Sequence, residues 1–354
     1  MIRVGLIGFG LAGQSFHAPV IRGVPGLELA CIFERSGSLA QKQYPEVRVA
    51  RSLDELLQDA EIQLCVVATP NPSHFEVAKQ CLLAGREVVV DKPFTVTSQQ
   101  ARELIQLAKQ RKRLLTAFQN RRWDGDFKTI RRLVDSRVMG QIVEYEARYD
   151  RFRPNPKANA WREREEPGSG VLHDLGSHLI DQALVLFGPP KSITAAVLCQ
   201  REWSKVNDAF DIRLEYPRLR ATLRASMLAC APGPHFVIHG TKGSFIKYGM
   251  DPQEDVLRGG KMPEGTDWGP HWGEEPESQW GTLSVMNGES RSDQKIETEN
   301  GDYRGFYENV RDAILPGSAL EVMPEQAFRT IRAIELALES SREQRTVPWS
   351  ETAN

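Results

Sequence analysis

Hydrophobic positions in the first third of the chain form short continuous runs separated by polar, helix-patterned stretches. The runs are Ile2–Ile7, Leu29–Phe33, Val47–Val49, Ile62–Ala68, Glu87–Val90 and Leu114–Phe118. Runs of this kind, without strict alternation, are expected of strands covered on both faces. Between them lie a short helical segment (Ser38–Tyr44), a Ser52-Leu-Asp-Glu55 capping box for a helix through Leu57, and a helix that starts near Pro70 and ends at Gly85. A further helix is capped by Thr97 or Ser98 and runs to about Arg113. Strand–helix alternation predicts a doubly wound parallel sheet with connections on both faces.

The pattern changes after Asn120-Arg-Arg-Trp-Asp124. A helix (Phe127–Val138) precedes an alternating strand (Ile142–Tyr149), then a polar Arg/Pro/Asn stretch (Arg151–Pro167), a Gly168-Ser-Gly170 hinge and a helix over Val171–Phe187. Strand-like runs follow at Ser192–Gln200, Ala209–Tyr216, Arg220–Met227, Phe236–Gly240 and Ser244–Tyr248. Strands in succession predict an antiparallel or mixed sheet, which can leave one face open for a partner subunit. Tyr248–Trp280 reads as a long irregular insert carrying Trp268, Trp272 and Trp280, suited to a lid, an interface element or a surface ornament. Helices around Tyr303–Ile314 and Glu325–Ser341 close the chain. The expected fold class is α/β: a dinucleotide-binding Rossmann domain over 1–121, then an α+β domain over 122–354 with a large, mainly antiparallel, open-faced sheet.

Composition narrows the classes. A chain of 354 residues exceeds one ordinary core. A net charge of −2 gives no general attraction to nucleic acid or to an anionic membrane. No apolar run approaches the ~20 residues of a membrane span, and a strand starting at residue 2 leaves no room for a signal peptide. The five cysteines (Cys31, Cys65, Cys81, Cys199, Cys230) show no C-x-x-C spacing, as expected of reduced thiols in a cytoplasmic protein.

The candidate chemistry begins at the end of the first strand. Gly8-Phe9-Gly10-Leu11-Ala12-Gly13 has the G-x-G-x-x-G spacing: one glycine for the tight turn, one for close approach of a pyrophosphate, one for packing of the next helix. Glu34 lies where a ribose-binding carboxylate is expected, with Arg35 beside it. Ligands of such sheets sit beyond the carboxyl ends of the strands, which adds Thr69, Pro70, Asn71, His74, Asp91, Lys92 and Asn120 to the candidate cofactor site. Lys92 is also a candidate donor to a developing alkoxide, against the alternative of an ordinary surface lysine. His17 and His74, near helix starts, suit packing or a cofactor edge better than catalysis.

On a helical wheel, Leu172, Leu175, Leu179, Ile180, Ala183, Leu186 and Phe187 share one side of the 171–187 helix. Asp174, His178, Asp181 and Gln182 share the other, with Asp174 and His178 four apart. An imidazole oriented by a carboxylate can accept an alcohol proton near neutrality; the alternative is a solvated polar face. His173, Asp174 and His178, or His235 and His239, lack the geometry expected of a zinc site, so no metal is expected.

Taken together, the nucleotide loop, Thr69-Pro70-Asn71, Asp91-Lys92-Pro93 and Asp174-x-x-x-His178 resemble the Gfo/Idh/MocA oxidoreductase family over nearly the whole chain. Within it, Gln119-Asn-Arg-Arg-Trp-Asp124, Arg151-Phe-Arg-Pro154, Trp161-Arg-Glu163, His173–His178 and Phe245-Ile-Lys-Tyr-Gly249 resemble the scyllo-inositol 2-dehydrogenase branch. The resemblance implies a Rossmann domain, an open-faced second domain, a homodimer or homotetramer built on that face, and Lys92, Asp174 and His178 as the catalytic set. Asp91 stands where the family more often has glutamate, and His173 where this branch often has tyrosine. The implied reaction moves a hydride between a secondary alcohol of a cyclic polyol or sugar and NAD or NADP, with Glu34 favouring NAD and Arg35 favouring NADP. The lean is to NAD. Arg121, Arg151, Arg153, Trp161, Arg162, His173 and Tyr303 are expected to line the substrate. The alternatives are a ketose or anhydro-sugar reductase, an NAD-dependent glycosidase and a nucleotide-sensing regulator.

Overall fold

The computed structural model describes residues 1–155, 163–260, 263, 265–315 and 317–351. Packing divides the chain into two compact units. The first comprises Met1–Trp123, Gln253–Trp272 and Asp302–Phe328; the second comprises Asp124–Pro252, Gly273–Gly301 and Arg329–Asn354.

The first unit is built on six strands: β1 (Ile2–Ile7), β2 (Leu27–Phe33), β3 (Arg48–Ala50), β4 (Leu64–Val67), β5 (Glu87–Val90) and β6 (Leu115–Ala117). Their order is β3-β2-β1-β4-β5-β6 and every pair is parallel. This is the Rossmann order, in which the direction of winding switches between β1 and β4. The helices between them are α1 (Ala18–Arg22), α2 (Leu39–Gln43), α3 (Leu53–Leu57), α4 (His74–Leu83) and α5 (Ser98–Arg111). Thr97 and Gln100 form a reciprocal capping box on α5. At α3 the box is half made: Ser52 accepts from the Glu55 N–H, but the Glu55 carboxylate accepts from Arg51 N instead.

A contiguous second domain from residue 122 is the sequence expectation; packing instead returns 253–272 and 302–328 to the first unit. The reason is apolar burial. Trp268, Tyr303, Phe306, Tyr307, Val310 and Val322 join the same core as Val4, Leu29 and Phe118. Within the insert, Trp268 packs edge-on to Trp272 and lies under the Arg304 guanidinium.

Among the described residues the second unit carries nine strands in the order β14-β13-β12-β11-β7-β10-β9-β8-β15. They are β7 (Ile142–Asp150), β8 (Ser192–Leu198), β9 (Ala209–Glu215), β10 (Arg220–Ser226), β11 (Phe236–Gly240), β12 (Gly243–Lys247), β13 (Gly281–Asn287), β14 (Ser290–Ile296) and β15 (Val347–Pro348). Among the described strands of this sheet only β7 and β10 pair in parallel. Tyr145, Ala147 and Tyr149 of β7 point to the core, while Glu144, Glu146, Arg148 and Asp150 line the other face with Arg224 and Asp211. The remaining helices are α6 (Gly125–Asp135), α7 (Ser177–Phe187), α8 (Gln253–Arg258), α9 (Arg304–Ile314) and α10 (Pro324–Glu343), of which α8 and α9 belong to the first unit. All five cysteines are free thiols. Among the described residues no helix is long and apolar enough to cross a membrane.

Candidate active site

Three glycines at the end of β1 have three separate reasons. Gly8 has φ +103°, and a Cβ there would lie 2.6 Å from the Ala68 carbonyl oxygen. A Cβ on Gly13 would collide with the Gly8 carbonyl, so that glycine permits the helix to close on the turn. Around Gly10 there is open space, which fits the close approach of a diphosphate. Phe9 turns its ring into the core against Tyr44, while Leu11 and Gly10 are exposed. Ala12 opens into a π-helical turn over Gly13–His17 that runs into α1. Gln14 fastens the loop by donating from its backbone to Gly10 O (2.9 Å) and from its side chain to Phe9 O (2.8 Å).

Glu34 follows β2 but is buried and engaged. One carboxylate oxygen accepts the Leu39 N–H (3.1 Å); the other faces the Arg51 guanidinium at 3.6 Å. Arg51 also donates to the carbonyls of Glu34 and Gly37, fixing this loop. Arg35 is exposed.

At the ends of β4 and β5 the turns are tied together. Thr69 Oγ1 accepts from Ser73, and Asn71 opens a short turn into α4. His74 is fully buried, with Nδ1 2.9 Å from Pro93 O and Nε2 2.8 Å from Thr69 O. Its expected place at the cofactor is therefore corrected: both ring nitrogens face the backbone. Asp91 accepts the Lys92 N–H (2.8 Å) and faces His17 Nε2 at 3.7 Å. His17 Nδ1 in turn meets the Tyr307 hydroxyl at 2.6 Å. Burial pushes the Asp91 carboxyl up, but the hydrogen bond and charge of His17, then Lys92 and His74, outweigh it and hold it at about 2. Lys92 is partly exposed, and Asn120 begins a buried turn after β6.

In the second unit the 171–187 helix departs from the wheel. Leu172–Gly176 is a π-helical turn that passes directly into α7. A π turn adds a residue to the local repeat and is over-represented where a helix presents functional groups. The polar side is not solvated: His178, Asp181 and Gln182 are buried, and Asp174 is partly exposed. Buried polar groups demand partners, which removes the reading as an ordinary wet face. Asn207 anchors the helix start, accepting the Val171 N–H on its carbonyl and the Leu172 N–H on its side chain. His173 donates through Nδ1 to Ser169 O (3.2 Å), and burial lowers its pKa. That bond places the proton of the neutral ring on Nδ1 and leaves Nε2 as an acceptor. His173 lines a cavity of about 370 Å³ with Glu165, Ser169, Lys205 and Asn207.

The expected substrate-lining residues separate. Arg121 is buried in an ion pair with Glu254, and Tyr303 lies in the apolar core; neither is open to a substrate. Arg153 is exposed and Arg151 partly so, their backbone N–H groups donating to Met227 O and Ser226 O at the end of β10. Trp161 and Arg162 lie outside the described residues. Sequence reasoning missed Arg51, Asn207 and the His17–Asp91–Tyr307 chain, whose members lie far apart in sequence. Among the described residues no three His, Cys, Asp or Glu side chains are grouped to hold a metal ion.

A glycine turn at β1 of a Rossmann sheet and a second, mixed sheet define a two-unit, dinucleotide-dependent oxidoreductase. The model of the oxidoreductase family's NAD-binding Rossmann fold matches residues 2–119, and that of its C-terminal alpha/beta domain matches 131–349. The chain belongs to the Gfo/Idh/MocA oxidoreductase family and is an NAD(P)-dependent dehydrogenase. Its relatives include the scyllo-inositol 2-dehydrogenase (NADP(+)) IolW of Bacillus subtilis, 39% identical over 98% of this chain and 95% of that protein. The uncharacterized oxidoreductase YdgJ of Escherichia coli is 42% identical over 98% of both chains. The solved structure of YvaA from Bacillus subtilis matches with a TM-score of 0.94 at 38% identity, covering 99% of this chain and 98% of that one.

Proposed function

We propose that the protein interconverts a secondary hydroxyl of a cyclic polyol, an inositol such as scyllo-inositol, and the corresponding ketone, using NADP. The polyol class is supported by the likeness to the inositol dehydrogenase of Bacillus subtilis. NADP, rather than the NAD that Glu34 suggests from sequence, is supported by two features. The Glu34 carboxylate is turned in to Leu39 and Arg51, which weakens its repulsion of a 2′-phosphate, and Arg35 is exposed beside it.

The bound nicotinamide supplies the hydride acceptor. His178 takes the hydroxyl proton as general base, Asp174 orients the imidazole, and Lys92 donates a hydrogen bond to the same substrate oxygen. The observation that carries this reading is the burial of His178 with its polar neighbours on a helix that could have left them wet. His178→Ala should lower kcat by about 10²–10⁴-fold with NADPH affinity kept. Unchanged turnover would remove His178 from the mechanism. A panel of inositols, aldoses and ketoses, run with NAD and with NADP, tests substrate and cofactor together. The open sheet face of the second unit is assigned to self-association, which sedimentation of the wild-type protein checks.

A further inference from the structure

The roles proposed for Lys92 and for the Thr69–Asn71 turn raise the question of what holds those two turns in register. We infer that His74 is a positioning residue that staples the turn after β4 to the turn after β5, fixing the Lys92 backbone through one ring nitrogen and the dinucleotide-facing turn through the other. His74 begins α4, yet its ring is wholly buried and reaches two carbonyl oxygens, Pro93 O at 2.9 Å and Thr69 O at 2.8 Å. The Lys92 main chain is thereby held on both sides. Its own N–H is bonded to Asp91 Oδ1 (2.8 Å), and the carbonyl of the next residue is bonded to His74.

A carbonyl oxygen only accepts, so each contact requires an N–H on the ring. A neutral ring donates to only one of the two carbonyls, so the two-ended staple requires the doubly protonated ring. Burial opposes the second proton and lowers the pKa, with His17 acting in the same sense; Asp91 and the two carbonyls favour that proton. Asp91 and His17 are the titratable groups that face the ring. A misplacement of about 1 Å at a reacting group costs on the order of 10²-fold in rate, so a staple at this point bears directly on turnover.

The test uses side chains that keep one bond each. In Asn the amide nitrogen falls near Nδ1 and in Gln near Nε2, whereas Phe keeps the ring shape and neither bond. The readouts are kcat with scyllo-inositol and NADP, and the Kd of NADPH by fluorescence titration, on variants shown to be folded by circular dichroism. His74→Phe should lower kcat by roughly 10–100-fold and weaken NADPH binding. His74→Asn should recover most of kcat but not the Kd, and His74→Gln should recover the Kd but not kcat. If Asn and Gln behave alike, whether both are like wild type or both are like Phe, the staple is overturned. Lys92→Met is run alongside: if it turns over like wild type, the catalytic reading fails, and if it is inactive while the His74 variants do not split, only the staple fails. Should the three variants not fold, wild-type protein labelled with ¹⁵N-histidine decides. Two His74 ring N–H protons protected from solvent exchange support the staple, and protection at one nitrogen or at neither overturns it.

Discussion

Asp91 in the first unit and Asp126 in the second are both buried, each faces a histidine, and their carboxyl groups titrate in opposite directions. Asp91 is held at about 2, whereas Asp126 is pushed up to about 7. Burial raises both, so burial does not explain the difference. Asp91 has basic side chains around it, His17, Lys92 and His74, and each of them lowers its pKa. Asp126 has Lys247 pulling it down, but Asp251 and Glu275 push it up, and the Phe127 N–H offsets little of that. His235 adds a constraint. Its Nδ1 meets Arg148 O at 2.6 Å and must carry the proton of the neutral ring, so a bare Nε2 faces Asp126 Oδ2 at 3.6 Å. The sign of the surplus charge decides each carboxyl. Beside the proposed catalytic lysine the carboxylate stays ionised down to low pH, while in the second unit Asp126 keeps its proton up to about 7.

The largest effect should come from taking the cation out of the second cluster. Lys247 is fully buried, with Nζ 2.9 Å from Glu275 Oε2 and 2.7 Å from Tyr248 O. Lys247→Met leaves the buried Glu275 carboxylate without its cation and should cost about 3–5 kcal/mol in urea unfolding. Lys247→Met combined with Glu275→Leu should recover much of that loss, because paired removal avoids a lone buried charge. A double variant no better than the single would show that the other carboxylates, not this pair, govern the cluster.

In the first cluster, Asp91→Asn keeps an acceptor for the Lys92 N–H but removes the charge. It should cost about 2 kcal/mol at neutral pH, the scale of a hydrogen bond to a charged group. The sign of the pH dependence follows from the depressed pKa. The Asp91 contribution is present above its unfolded value near 3.8 and is lost as pH falls toward about 2. Wild type should therefore lose its advantage over Asp91→Asn across that window, read as a converging pair of unfolding midpoints. Midpoints that stay parallel would mean that Asp91 is not ionised by its neighbours.

Neither cluster was legible in the chain, although the frame around them was. The Rossmann strands are visible because buried parallel strands are continuous apolar runs; the α5 cap is narrowed to Thr97 or Ser98, and the reciprocal bonds with Gln100 single out Thr97. The β13–β14 hairpin escaped notice: Ser290–Ile296 is an edge strand of Arg, Asp, Gln and Lys with no apolar alternation to mark it. The π turns at Gly13–His17 and Leu172–Gly176 have no sequence signature, so the wheel placed Asp174 and His178 on one face but could not show that this face is buried. Lys247 reads as a strand-end surface lysine until Glu275, from a loop well downstream, closes over it. Side-chain pairs such as His17–Asp91 depend on strand order, which spacing alone does not supply.

The smallest expected effect is also the one most specific to the comparison. Asp126→Asn replaces a carboxyl that is already protonated over much of the acid range by an amide of the same shape. The pKa is raised from 3.8 to about 7, so the native state binds more protons than the unfolded state between those values. Stability therefore falls as pH rises through that window and levels off above it. Asparagine has no such slope. The two proteins should unfold together near pH 4, and by pH 8 the Asn variant should be the more stable by about 1–2 kcal/mol, the excess proton cost less what Lys247 returns. Urea unfolding at several pH values reads this directly. An Asn variant that is less stable at pH 8 would mean that the attraction of Lys247 outweighs burial and the neighbouring acids, and the two aspartates would then be alike.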